Sequence, residues 1–264
     1  MDSHYPKKRK AGKKNNAETR GTQRQRREEN EARIGEEAGN RMDALWLSIK
    51  LAACVATILL LIGMPVAYWL AYSNWRGKFL LESIVALPLV LPPTVLGFYA
   101  LVAMGPHGPL GKLWIAFFGH GLAFTFTGLV LASVLYSFPF AVQPLIASFE
   151  SVDRKLLDAS AVLGAGSLRT FWRVILPLSL PGVVTAIVLS FAHTLGEFGV
   201  VLMVGGNLAG VTRTVSIDMY DRVQSLEYGQ ANRMALVLLM ISFAVLSVVY
   251  AVNRRVWTPW AAKS

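Results

Sequence analysis

A chain of 264 residues with 54% hydrophobic side chains and a mean hydropathy of +0.45 is too apolar for a soluble domain of that length. Its net charge of +10 suits an anionic partner, either nucleic acid or acidic lipid. The single cysteine, Cys54, lies inside an apolar run, so an intrachain disulfide or a zinc site built from several cysteines is excluded.

The first 41 residues are polar and nearly free of aliphatics, with stretches such as KKRKAGKKNN and RQRREENEAR. A segment of this kind buries too little apolar surface to offset its ordering entropy, so it is expected to be disordered. KKRK could meet nucleic acid or lipid headgroups, but a solvated tail is the simpler reading, and no nucleic-acid partner is expected. Met42 opens MDALWLSIK directly before the first apolar run, and translation is expected to start there in the native protein.

Five membrane-spanning helices are expected after the tail, at about 44–72, 84–104, 121–147, 183–204 and 234–253. Each is near the ~20 residues that cross ~30 Å of hydrocarbon. Five spans put the termini on opposite sides. One side then carries Arg76, Lys78, Arg154, Lys155, Arg169, Arg173, Arg254, Arg255 and Lys263, against Lys112, Arg213, Arg222 and Arg233 on the other. The positive-inside rule therefore places the 148–182 loop and the C-terminus in the cytoplasm. The first 43 residues hold twelve Lys and Arg and would fall outside, a clash that a start at Met42 removes. The chain is expected to divide into this tail, a membrane domain at 43–255 and a short C-terminal tail at 256–264.

Three constellations could carry chemistry. In LPLVLPPTVLG, Leu87–Gly97, Pro88, Pro92 and Pro93 disrupt the helical hydrogen-bond ladder, as in the broken helices that surround substrate paths. His193 and Glu197 are four apart, so a helix through both would put them on one face. They could form a proton relay or half a metal site, but a hydrogen-bonded structural pair is the preferred reading, with no metal. GPHGPLGK, Gly105–Lys112, fails as a phosphate loop: the first glycine of the motif falls on Pro106 and no Ser or Thr follows Lys112. No HExxH, GxSxG or CxxC is present, so no catalytic residue and no cofactor is expected.

The stretch Asp158–Pro177, DASAVLGAGSLRTFWRVILP, is a basic amphipathic insert between apolar runs. It resembles the cytoplasmic loop of ABC-importer permeases, in which an acid-Ala-Ala triplet precedes a glycine and a Leu-Pro ending. The matching residues are Asp158, Ala159, Ser160, Leu163, Gly164, Leu176 and Pro177. Asp158 keeps the usual charge and Ser160 the small volume. The strings at 87–101, FAHTLGEFGVVLMVGGN at 191–207 and GVTRTVSIDMYDRVQ at 210–224 are similar to those of molybdate ABC-transporter permeases. Gly196–Gly199 is also similar to a string of sulfate and thiosulfate permeases, which stay, with tungstate carriers, as alternatives inside the class. A proton-coupled secondary transporter using His193 and Glu197 is the alternative outside it.

The resemblance implies an all-α membrane protein with the MetI-like permease fold and a cytoplasmic coupling helix. It implies a homodimer in the inner membrane and two copies of a cytoplasmic ATP-hydrolysing subunit. It also implies an extracytoplasmic molybdate-binding protein that delivers the anion. A divalent oxyanion needs a wet path shielded from hydrocarbon, and easy release favours hydroxyls and amides over arginine clusters. Thr94, Ser190, Thr194 and Asn207 are the candidate lining residues, together with Glu197.

Overall fold

A computed structural model describes the backbone of residues 9–261 and the side chains of residues 41–251. Residues up to Asp43 form one unit and Ala44 onward a second. The regular elements are helices α1 (Arg9–Tyr72), α2 (Lys78–Val90), α3 (Pro93–Met104), α4 (Pro109–Phe118), α5 (Phe126–Glu150) and α6 (Arg154–Val162). After them come α7 (Ser167–Thr170), a π-helical turn (Phe171–Ile175), α8 (Leu176–Leu178), α9 (Leu180–Gly196), α10 (Gly199–Gly205), α11 (Val215–Gln224) and α12 (Tyr228–Ala261).

Three stretches are long and apolar enough to cross a membrane: Arg41–Tyr72, Phe126–Glu150 and Tyr228–Ala251. Two bent pairs raise the number to five if each pair is one span. The first, α2 with α3, turns by 109°, and the second, Ser167–Leu178 with α9, by 73°. The second expected span is therefore broken, at Leu91 and Pro92, where extended backbone leads into Pro93 at the first turn of α3. The fourth expected span, 183–204, is corrected. Its helix ends at Gly196, and it is preceded across a 73° bend by Ser167–Leu178, inside the segment expected to be a soluble loop.

Residues 9–41 lie within α1, where order was not expected. Their Ala, Arg, Lys, Glu and Gln are good helix formers, a local preference that an argument from burial alone overlooks. The beginning of KKRK and Lys263 lie outside the described residues. The C-terminal residues expected to form a tail continue α12 as far as Ala261.

The core of the second unit gathers around α5. Its C-terminal end packs Val142, Leu145 and Phe149 with Ala67, Leu70, Val85, Ile175 and Ala186. Its N-terminal part packs Leu129, Val130 and Ala141 with Leu51, Val55, Leu59, Val201 and Ile217. Half of the apolar window of α5 is buried, against 11% of that of α12. α5 is therefore the central rod, and α12 offers its surface to lipid or to another chain. Small residues let α5 and α9 approach closely: a Cβ on Gly182 would sit 2.1 Å from that of Ser148.

Candidate coupling surface and pathway residues

α6 starts on a side-chain cap and stops on backbone hydrogen bonds at a glycine. The Asp153 carboxylate accepts from the Lys155 amide at 2.9 Å and caps its first turn. At its end the Gly164 amide donates to the Ala161 carbonyl at 2.9 Å, and the Ala165 amide to the Ser160 carbonyl at 3.0 Å. Gly164 sits at φ +74°, a left-handed conformation that glycine adopts without Cβ strain. The turn sends the chain back along α7. There the Ser160 and Thr170 hydroxyls, both buried, meet at 2.7 Å and fasten α6 to α7.

Apart from Leu157, which is half-buried against the core, the rest of α6 is exposed. Asp158 and Ala159 are exposed, while Val162 and Leu163 are 88% and 85% exposed. Ser160 therefore does more than keep a small volume, because an alanine there could not bond to Thr170. Leu176 is half-buried and Pro177 exposed at the start of α8. The base of this excursion is clasped. Ser148 donates its hydroxyl to the Ser179 carbonyl and Ser179 donates to that of Ser148, each at 3.3 Å. Tyr72 donates to the Phe149 carbonyl at 2.7 Å, which ties the first span to the same point. α6 and α7 thus project from a braced foot.

The candidate pathway residues do not converge on one wall. Thr94 is exposed on α3. The buried Ser190 hydroxyl lies 2.6 Å from the Ala186 carbonyl of its own helix. Thr194 pairs with Ser137 of α5 at 3.0 Å. The Asn207 carbonyl oxygen accepts from Arg213 Nε at 2.6 Å, and its amide donates to Asp221.

His193 and Glu197 are not paired with each other, because the helix ends between them. His193 lies 2.9 Å from the Ser137 hydroxyl and stacks on Phe140 with ring centres 3.8 Å apart. Glu197, only 6% exposed, turns back over the next helix. Its Oε1 accepts from the Val200 and Val201 amides at 2.7 and 3.3 Å, so it caps α10. No cluster of three or more His, Cys, Asp or Glu able to hold a metal occurs among the described residues.

α10 in turn crosses α3 at two glycines. A Cβ on Gly199 would lie 2.7 Å from that of Pro93, and one on Gly97 would lie 2.9 Å from that of Met203. The proline-rich and GEFG strings are thus two halves of one contact. The third string knots the turn after α10. Thr212 donates to the Gly205 carbonyl at 2.7 Å, Arg213 reaches Asp221 at 3.8 Å, and Arg222 bonds Asp218 at 3.2 Å and Glu227 at 3.4 Å. The Val215 amide donates to Ser48 at 2.9 Å, anchoring α11 to the first span. Sequence reasoning missed Ser137, Thr170, Arg213 and Asp221. Thr170, Arg213 and Asp221 lie inside strings that carried the family resemblance, whereas for Ser137 the signal is that a polar residue inside an apolar helix needs a partner.

A helical chain with several candidate membrane spans and a capped, exposed helix between two of them fits the build of an importer permease. Residues 51–258 match the family described as the binding-protein-dependent transport system inner membrane component. The chain belongs to that family, among its molybdenum transport permeases, and is a membrane-embedded, non-catalytic transport subunit. It is 51% identical over 212 residues to the molybdenum transport system permease protein ModB of Azotobacter vinelandii, covering 80% of this chain and 93% of that relative. It is 39% identical to ModB of Escherichia coli strain K12, over 78% of this chain and 89% of the relative. The fold resembles that of a bacterial ABC transporter involved in the import of the acidic polysaccharide alginate. The TM-score there is 0.67 at 14% identity, over 82% of this chain and 80% of that one. It also resembles the inward-facing MetNI methionine ABC transporter, with a TM-score of 0.63 at 16% identity, over 84% and 98% of the two chains.

Proposed function

We propose that this permease carries molybdate into the cell, driven by ATP that a separate cytoplasmic subunit hydrolyses. Two copies of the chain enclose the path, two copies of the ATPase dock on their α6 helices, and an extracytoplasmic molybdate-binding protein supplies the anion. The names of the most similar relatives support the cargo. The observation that carries the coupling is the exposed far end of α6 on a braced base. In this reading α6 and the C-terminus face the cytoplasm, in accord with the nine-to-four distribution of basic residues. Asp158, Ala159 and Leu163 meet the ATPase, while Ser160 and Gly164 hold the shape that presents them. Thr94 is the pathway candidate whose side chain remains exposed.

Gly164→Asp tests the reading. A side chain at φ +74° costs up to about 1–2 kcal/mol, and the aspartate adds a charged group at the exposed end of α6, where the glycine has nothing within 4 Å. The variant should reach the membrane in normal amounts but lose most co-purifying ATPase and ATP-driven molybdate uptake in proteoliposomes. Full uptake by the variant would refute coupling through α6. Uptake driven by a pH gradient without nucleotide would favour a secondary transporter instead. Sulfate uptake at equal rate would move the cargo to that anion.

A further inference from the structure

A cleft of about 420 Å³ opens between α6 and the strand of helix that follows it. Leu156, Ala159 and Leu163 form one wall, Arg169 and Arg173 the other, and Ser160 lies at its floor. Resting on the reading above, we infer that this cleft is a socket for an acidic side chain of the ATPase subunit, so that α6 both enters its partner and is entered by it.

Four observations converge. Arg169 and Arg173 are exposed and make no ion pair among the described residues. Of the nearby acids, Glu150 bonds Lys78 and Asp153 caps α6, while Asp158 is exposed and pairs with neither arginine. The apolar wall is strongly exposed at Leu163, so the cleft offers an apolar side for a stem and a cationic side for a carboxylate. The floor is rigid, because Ser160 is bonded to Thr170 and both are buried.

Guanidinium groups bind carboxylates through paired, directional hydrogen bonds, and such anchors dominate small interfaces. The charge pattern separates a protein from a lipid surface. Asp158 is exposed beside the wall residue Ala159, where it would repel anionic headgroups but could meet a cation on a protein.

The test uses purified permease in nanodiscs titrated with its ATPase, for the native chain and for Arg169→Gln/Arg173→Gln. Both arginines are exposed, so the variant should fold. The socket predicts that the double variant still binds, on the order of tenfold more weakly and with a flatter salt dependence. Equal affinity and equal salt dependence would overturn it. So would equal affinity with loss of co-purifying anionic lipid, which would assign the arginines to the membrane. If the native permease bound no ATPase, the coupling reading itself would fall and the socket with it. As a second measurement, a photo-reactive residue at Leu163 should cross-link to an ATPase peptide containing Asp or Glu. Cross-linking only to lipid, or to a peptide without an acid, would also overturn the proposal.

Discussion

The α6 projection and the α3–α10 crossing use small residues in opposite ways. At the crossing, Gly97 and Gly199 remove side chains so that two backbones meet, and Glu197 Oε1 and the Thr212 hydroxyl are bonded within the chain. At α6, Gly164 closes the helix with a turn, and Asp158, Ala159, Val162 and Leu163 stay exposed. The family strings in the first region are explained by packing within this chain. The motif in the second is explained only in part by Ser160, and the rest is left for a partner. A residue that looks important in a permease is thus either spent inside or offered outside, and the hydrogen-bond partners tell which.

The comparison breaks most sharply at the crossing. Gly199→Val places carbon where Pro93 already sits, with the first added atom at 2.7 Å, and neither the proline ring nor the backbone can swing aside. Overpacking of this kind costs about 1–3 kcal/mol or more. The variant should show a lower melting temperature in detergent and several-fold less monodisperse protein. Normal melting with normal yield would mean that α3 and α10 do not touch as described. The same valine at Gly166, which has nothing within 4 Å, is the control at the projecting end.

Next in size is Glu197. Glu197→Ala strands two buried amides, those of Val200 and Val201, at about 1–3 kcal/mol. Glu197→Gln keeps an acceptor oxygen and should recover much of the stability and most of the transport. That order, with alanine poor and glutamine near native, is what a cap requires. A stable glutamine variant with no transport would instead mark a carboxylate used in translocation.

The elements that could be read from the sequence were those fixed by local chemistry. Pro92 and Pro93 announced the break that the structure turns into a 109° bend, and the amphipathic insert announced α6. The fourth span misled because 183–204 is apolar throughout, and hydropathy cannot register where a carboxylate draws the backbone out of its helix. The pairing of His193 with Glu197 failed for the same reason: four-residue spacing places two side chains together only if the helix continues between them. The partners of Asn207 and Ser160 were not legible because Asp221 and Thr170 are brought near by turns, and no periodicity encodes a turn's destination.

The smallest effect sharpens the comparison from the other side. Ser160→Ala removes the bond to Thr170 without changing the bulk of α6, and net loss of one such bond costs about 0.5–1.5 kcal/mol. Because Ser160 is the buried residue of α6, the loss should stay local: global melting should hardly move, while amide exchange of residues 154–162 should quicken. Thr170→Val should give the same local change, and the double variant should add little, since both substitutions delete one contact. Were the two effects to add in full, the hydroxyls would be serving separate partners. α6 would then lean on α7 through packing alone, and the stiffness that lets a docked subunit move the braced spans would have to come from the ends of α5 and α9.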